Sequence, residues 1–123
     1  FTNPKLLGSD INALDEQLQF TNGYDHTWVL DGKGFRSIAQ VYHEASGRLM
    51  EVFTDQPGVQ FYTGNSLSNQ NHGKHNDCIG KRTGLCLETQ HYPDSPNQPS
   101  FPTVVLRSNE MYQSTTVYQF SVR

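Results

Sequence analysis

Glu88 lies in an alternating run, Leu85-Cys86-Leu87-Glu88-Thr89-Gln90. An extended strand there puts Leu85, Leu87 and Thr89 on one face and Cys86, Glu88 and Gln90 on the other. Carboxylates are depleted from strand interiors and costly to bury unpaired, so Glu88 marks either a wet sheet face or a polar pocket in which a base is wanted. If a neighbouring loop excludes water, desolvation brings a carboxylate toward the proton affinity of a general base. Such a loop follows directly, with Pro93, Pro96, Pro99 and Pro102 fixing φ and removing four backbone donors. Interrupted by Asp, Asn and Phe, these prolines read as a fixed loop rather than a polyproline ligand. Asp25 sits where a Gly23-Tyr24 loop meets the next strand, and a carboxylate there can accept from two hydroxyl donors or cap its own turn. Gln60 and Tyr62 share a strand face opposite Val59, Phe61 and Thr63, which aims an amide and a ring the same way. The bland alternatives are a solvated Glu88, or one paired with Arg82, and a half-exposed strand glutamine at Gln60. His72, His75, Asp77 and Cys78 are zinc-ligand types, but their spacing fits no structural zinc pattern, so they read as a solvated loop.

Elements must hold these groups in place. Ile11, Leu14 and Leu18 at helical spacing predict one short helix over residues 11–20, with Asp10 as its cap. From Thr27 the period changes to two. Strands are predicted from Thr27 to Leu30, Phe35 to His43, Leu49 to Thr54 and Val59 to Thr63, with turns at Asp31-Gly32-Lys33-Gly34, Ala45-Ser46-Gly47 and Gln56-Pro57-Gly58. Connections this short predict an antiparallel meander. Residues 65–82, rich in Asn, Ser, His, Lys and Gly, read as a long surface loop. Strands over 84–90, 103–107 and 111–122 complete the chain, the last placing Tyr112, Thr116, Tyr118, Phe120 and Val122 on one face. The expected fold is therefore all-β, an antiparallel sandwich with at most one short helix near the N-terminus.

Five ordered stretches carry a resemblance: Gly23-Tyr24-Asp25-His26, Ser46-Gly47-Arg48, Pro57 to Asn65, Glu88-Thr89-Gln90-His91 with Asn97-Gln98-Pro99 and Phe101-Pro102, and Thr115-Thr116-Val117-Tyr118. They resemble the C-terminal part of the galactose mutarotases, or aldose 1-epimerases, over nearly the whole chain. The resemblance implies residues 1–123 as the C-terminal portion of such a domain, part of the large twisted supersandwich, with the family's N-terminal part as its missing partner. It implies interconversion of the α and β anomers of galactose or glucose, which needs a base for the anomeric hydroxyl and an acid for the ring oxygen. Glu88 matches the family's general base, and Asp25 and Gln60 match positions that contact the sugar. The catalytic histidine, a second substrate histidine and an arginine belong to the N-terminal part, so His26 and His91 are not assigned as the acid. His91 is expected to order the loop or line the pocket's edge, and Trp28 to be core rather than a sugar platform. No cofactor and no metal are implied, and the family's habit suggests the cytoplasm.

The chain has 123 residues, enough for one domain burying about two thirds of its unfolded surface. Only 34% are hydrophobic, a thin supply that suits a sheet portion whose partner covers one face. A net charge of -3 without a basic run argues against nucleic acid and anionic membranes as partners. No apolar run reaches the roughly 18 residues of a membrane span, and no signal peptide opens the chain, which reads as beginning mid-protein. Cys78 and Cys86 could pair, but nothing in their spacing requires it, and free thiols are the simpler reading. Two other functions are open to these residues. One is a non-catalytic carbohydrate-binding or scaffold module, since the acid is absent here. The other is a glycoside hydrolase pairing Glu88 with Asp25 or Asp94.

Overall fold

The computed structural model describes all 123 residues, Phe1–Arg123. Eight strands form: β1 Asp25–Val29, β2 Arg36–His43, β3 Arg48–Thr54, β4 Gly58–Tyr62, β5 Asn71–His72, β6 Cys78–Ile79, β7 Cys86–Gln90 and β8 Thr116–Val122. They assemble as sheets of order β1-β4-β7, β2-β3-β8 and β5-β6. Apart from short 3₁₀ turns the only helix is α1, Glu16–Thr21. The class is the all-β, antiparallel, sandwich-type fold that the alternation predicts. No helix is long and apolar enough to cross a membrane. The chain gathers into two compact units, residues 1–26 with 60–88 and residues 27–59 with 89–123.

In the first unit the predicted helix is shorter and begins later than expected. Asp15, not Asp10, is the cap, its Oδ1 accepting the Gln17 N–H at 2.9 Å. Glu16 then falls in the first turn, where a negative charge suits the helix dipole. Ile11 stays outside the helix and is buried, whereas Leu14, expected on the buried stripe, is 93% exposed. Asn22, left-handed at φ 53°, ends the helix. The core is Ile11, Tyr24 and Phe61, against which Leu7, Leu18, Leu85 and Leu87 pack. Tyr24 and Phe61 stack with centroids 5.2 Å apart, and Phe1 meets Phe61 edge-on at 5.8 Å. Each such pair adds about 0.5–1.5 kcal/mol beyond its buried area. The predicted long loop over 65–82 contains a small hairpin in which Asn71 faces Ile79 and His72 faces Cys78.

In the second unit β2 and β3 form a hairpin from His43↔Arg48 to Arg36↔Thr54, and β8 adds to the other side of β3 from Arg48↔Val122 to Thr54↔Thr116. Val52 and Thr54, on β3, are fully buried. The predicted meander is corrected, because β1 and β2 join different sheets. Between them Gly32 and Gly34 are both left-handed, and the Arg36 guanidinium donates to the carbonyls of Asp31, Gly34, Thr54 and Gln56. That four-point bracket fixes the start of β2 beside β3 rather than beside β1. The predicted strand over 103–107 does not form. Its residues are all exposed and follow Pro102, with no neighbouring strand to pair them. The last strand starts at Thr116 rather than Met111, because side chains hold the preceding residues: Asp55 accepts the Thr115 N–H at 3.1 Å, and Gln56 Nε2 donates to the Tyr112 and Ser114 hydroxyls.

The proline loop after β7 is also fixed by side chains. Asp94, left-handed at φ 61°, accepts from Asn97 Nδ2 at 2.6 Å and Gln98 Nε2 at 2.8 Å. The Gln98 and Asn97 amides hold its carboxyl below the usual carboxylate range. Tyr92 meets Phe101 edge-on at 5.2 Å.

Two outcomes are expected. Gly47, left-handed at φ 67°, would bring a Cβ within 2.5 Å of the Arg123 carbonyl oxygen. Gly47→Ala should cost about 1–3 kcal/mol in urea unfolding; an unchanged midpoint would contradict this strain. Asp94 binds its proton less readily folded than unfolded, so its contribution is complete above the ordinary carboxylate value and is lost as pH falls through the lower folded one. In an NMR titration the Asn97 and Gln98 side-chain amides should therefore move only below the pH at which an unperturbed aspartate titrates.

Candidate functional site

The burial of Tyr24 and Phe61 determines where their neighbours point. Side chains alternate along a strand, so with Tyr24, Phe61 and Leu87 turned to the core, Asp25, Gln60 and Glu88 turn to the opposite face. Exposure agrees, since Tyr24 and Phe61 are buried, Asp25 and Gln60 half-buried and Glu88 exposed. All three belong to the first unit. They come from three adjacent strands, with β4 in the middle.

Register follows from close approaches. Thr63 N–H donates to the Tyr24 carbonyl at 3.0 Å, and Leu30 N–H to the Pro57 carbonyl at 3.0 Å, so β1 and β4 run antiparallel. A Cβ on Gly58 would lie 3.3 Å from the Gln90 carbonyl oxygen, and one on Gly64 3.1 Å from that of Gly84. These two anchors are equally spaced on both strands, which sets Gln60 level with Glu88. Gln60 Nε2 donates to Asp25 Oδ1 at 2.7 Å. Asp25, level with Tyr62 by the same anchors, and Glu88 thus stand on either side of β4, two strand spacings apart and two residues offset along the strands.

The run that carries Asp25 is clamped from β4. The Thr63 hydroxyl accepts the Tyr24 N–H at 3.2 Å and lies 3.1 Å from the Tyr24 carbonyl and 2.8 Å from Asn65 Oδ1. Asn65 Nδ2 donates to the same carbonyl at 2.9 Å. Gly23 is required beside them: at φ 136°, a Cβ there would come within 2.4 Å of Asn65 Oδ1. In the sequence only their place in the Pro57 to Asn65 stretch marks Thr63 and Asn65. His26 adds a further brace, its Nδ1 accepting the Asp25 N–H at 3.1 Å and its Nε2 lying 3.1 Å from the Gln17 carbonyl oxygen.

Other sequence candidates behave differently. The water-excluding surround expected for Glu88 is not formed by this chain, where its side chain is exposed. Arg82 does not pair with it but donates to the Asn22 carbonyl at 2.8 Å. His91 is half-buried after β7, and Trp28 is 37% exposed rather than core. His72, His75, Asp77 and Cys78 do not converge as a group that could hold a metal ion. Cys78 and Cys86 are free and exposed.

Comparison with known proteins places the chain in a family. The Aldose 1-epimerase family model matches residues 1–119. The chain is 53% identical over 102 residues to galactose mutarotase of Homo sapiens, covering 82% of this chain and 30% of that protein. The Rattus norvegicus galactose mutarotase is 50% identical over the same share. Aldose 1-epimerase of Escherichia coli (strain K12) is 36% identical over 124 residues, covering 98% of this chain and 35% of that protein. The chain thus spans about a third of the length of these relatives. With the match running from β1 through β7 and into β8, the chain belongs to the aldose 1-epimerase family.

Proposed function

We propose that this chain is the C-terminal portion of an aldose 1-epimerase domain and that the outer face of β1, β4 and β7 is its share of a hexose site. Glu88 takes the proton from the anomeric hydroxyl of galactose or glucose. The electron pair left on that oxygen forms the carbonyl, the bond from the anomeric carbon to the ring oxygen breaks, and the ring oxygen takes a proton from an acid. That acid is a histidine of the domain's N-terminal part. Rotation of the open chain and closure by the reverse steps give the other anomer. Asp25 and Gln60 hold ring hydroxyls, and with Oδ1 engaged by Gln60, Asp25 Oδ2 is the oxygen offered to sugar.

The observation that carries this reading is the convergence of the three side chains from adjacent strands on one face of a chain of this family. Its place as a portion of a larger domain is supported by the length of the relatives and by apolar groups open to solvent on β8, where Phe120 is 73% and Val122 75% exposed. Sugar binding without turnover is the second reading, favoured by the exposure of Glu88 in this chain taken alone.

Polarimetry of freshly dissolved α-D-galactose separates the two. In the complete protein carrying these residues, Glu88→Gln should lower kcat by about 10²–10⁴-fold, the usual contribution of a general base. Asp25→Ala should raise KM by about 10–100-fold, the cost of losing hydrogen bonds to a charged group. Undiminished mutarotation by the Glu88→Gln protein would remove the base assignment. Binding of galactose by the complete protein with no acceleration above buffer would favour the module.

A further inference from the structure

The His26 ring makes two hydrogen bonds that together fix its chemical form. Its Nδ1 lies 3.1 Å from the backbone nitrogen of Asp25, a group that can only donate, so Nδ1 must carry the lone pair. Its Nε2 lies 3.1 Å from the Gln17 carbonyl oxygen, a group that can only accept, so Nε2 must carry the proton. One neutral tautomer satisfies both partners. The imidazolium and the other tautomer would each set an N–H against the Asp25 N–H.

The consequence falls on Asp25. By strand alternation His26 turns to the core side, where α1 lies, while the Asp25 carboxylate turns to the opposite face. The ring therefore holds Asp25 by its main chain without occupying the face on which its carboxylate stands. Gln60 holds the carboxylate itself, at 2.7 Å. The residue before Asp25 is held by Thr63 and Asn65, but neither of those bonds reaches Asp25. The carboxylate's aim thus depends on one side chain at the acid and one imidazole at its backbone.

We infer that His26 is a positioning residue: as the neutral, Nε2-protonated imidazole it ties the Asp25 backbone to α1 and so sets the carboxylate for the hydroxyls of a hexose. This rests on the proposal that Asp25 is a sugar ligand. A group misplaced by about 1 Å can lose much of what its placement contributes. His26 touches neither the sugar nor the reacting atoms, so its removal weakens binding while leaving the chemical step alone.

The test uses the complete protein that carries these residues, with mutarotation of α-D-galactose as the readout. His26→Leu, which keeps bulk and loses both bonds, should raise KM by about 5–10-fold, the size of one lost hydrogen bond, with kcat within about 2-fold. His26→Asn, whose Oδ1 can stand where Nδ1 accepts, should recover most of that KM. In the unaltered protein, ¹⁵N NMR should show His26 with Nδ1 bare and Nε2 protonated. An unchanged KM in His26→Leu, an asparagine no better than leucine, or the opposite tautomer would each overturn the inference. The tautomer decides even if His26→Leu does not fold. Asp25→Ala measured alongside separates the levels. If it leaves KM unchanged, the sugar-ligand reading fails; if it raises KM while His26→Leu does not, only the positioning role fails.

Discussion

The stacking of Tyr24 on Phe61 is the contact on which the rest of the first unit depends. Both rings are buried, and both lie one residue from a polar side chain of the candidate site, Asp25 on β1 and Gln60 on β4. Because a strand alternates, burying the rings and displaying the polar pair are one event rather than two. Leu87 does the same for Glu88 on β7, packing on the same cluster from the next strand. Hydrophobic burial, which is not directional, thus yields a directed polar face, provided that each strand is in register.

Much of this was legible in sequence because it depends on period two. The alternation over 84–90 separates the leucines from Glu88, and that over 59–63 separates Gln60 and Tyr62 from the core residues, as the structure bears out. What could not be read were effects in which a side chain takes over a backbone's partner. Arg36 collects four carbonyls and sends β2 to a different sheet from β1. Asp55 and Gln56 hold residues 112–115, so β8 starts later than its composition suggests. Asp15 outcompetes Asp10 as a cap, and Leu14 is left in solvent. Each is a contact between residues distant in sequence, or a choice between near-equal local options, and neither has a periodic signature.

The candidate site divides the same way. Types and spacing single out Asp25, Gln60 and Glu88, but not that the first two are hydrogen-bonded, nor that Thr63 and Asn65 grip the main chain at Tyr24. Gly23 is the local sequence mark of that grip. A glycine before an aromatic residue and an acid reads as a loop, whereas its physical role is to leave room for the Asn65 amide.

Register is where core and site constrain each other most tightly. A slip of one residue on β4 would exchange Gln60 for Phe61, exposing a ring and burying an amide. Three features hold the strand against it. At one end Gly58 admits the Tyr92 ring, 3.0 Å from where a Cβ would stand, and the Gln90 carbonyl. At the other Gly64, left-handed at φ 66°, admits the Gly84 carbonyl. Between the second glycine and the core, the Thr63 hydroxyl fits only opposite Tyr24, where a donor and an acceptor of one residue are both within reach. Substitution at either glycine therefore acts on the polar face at a distance, through the register rather than through any contact with Gln60 or Glu88.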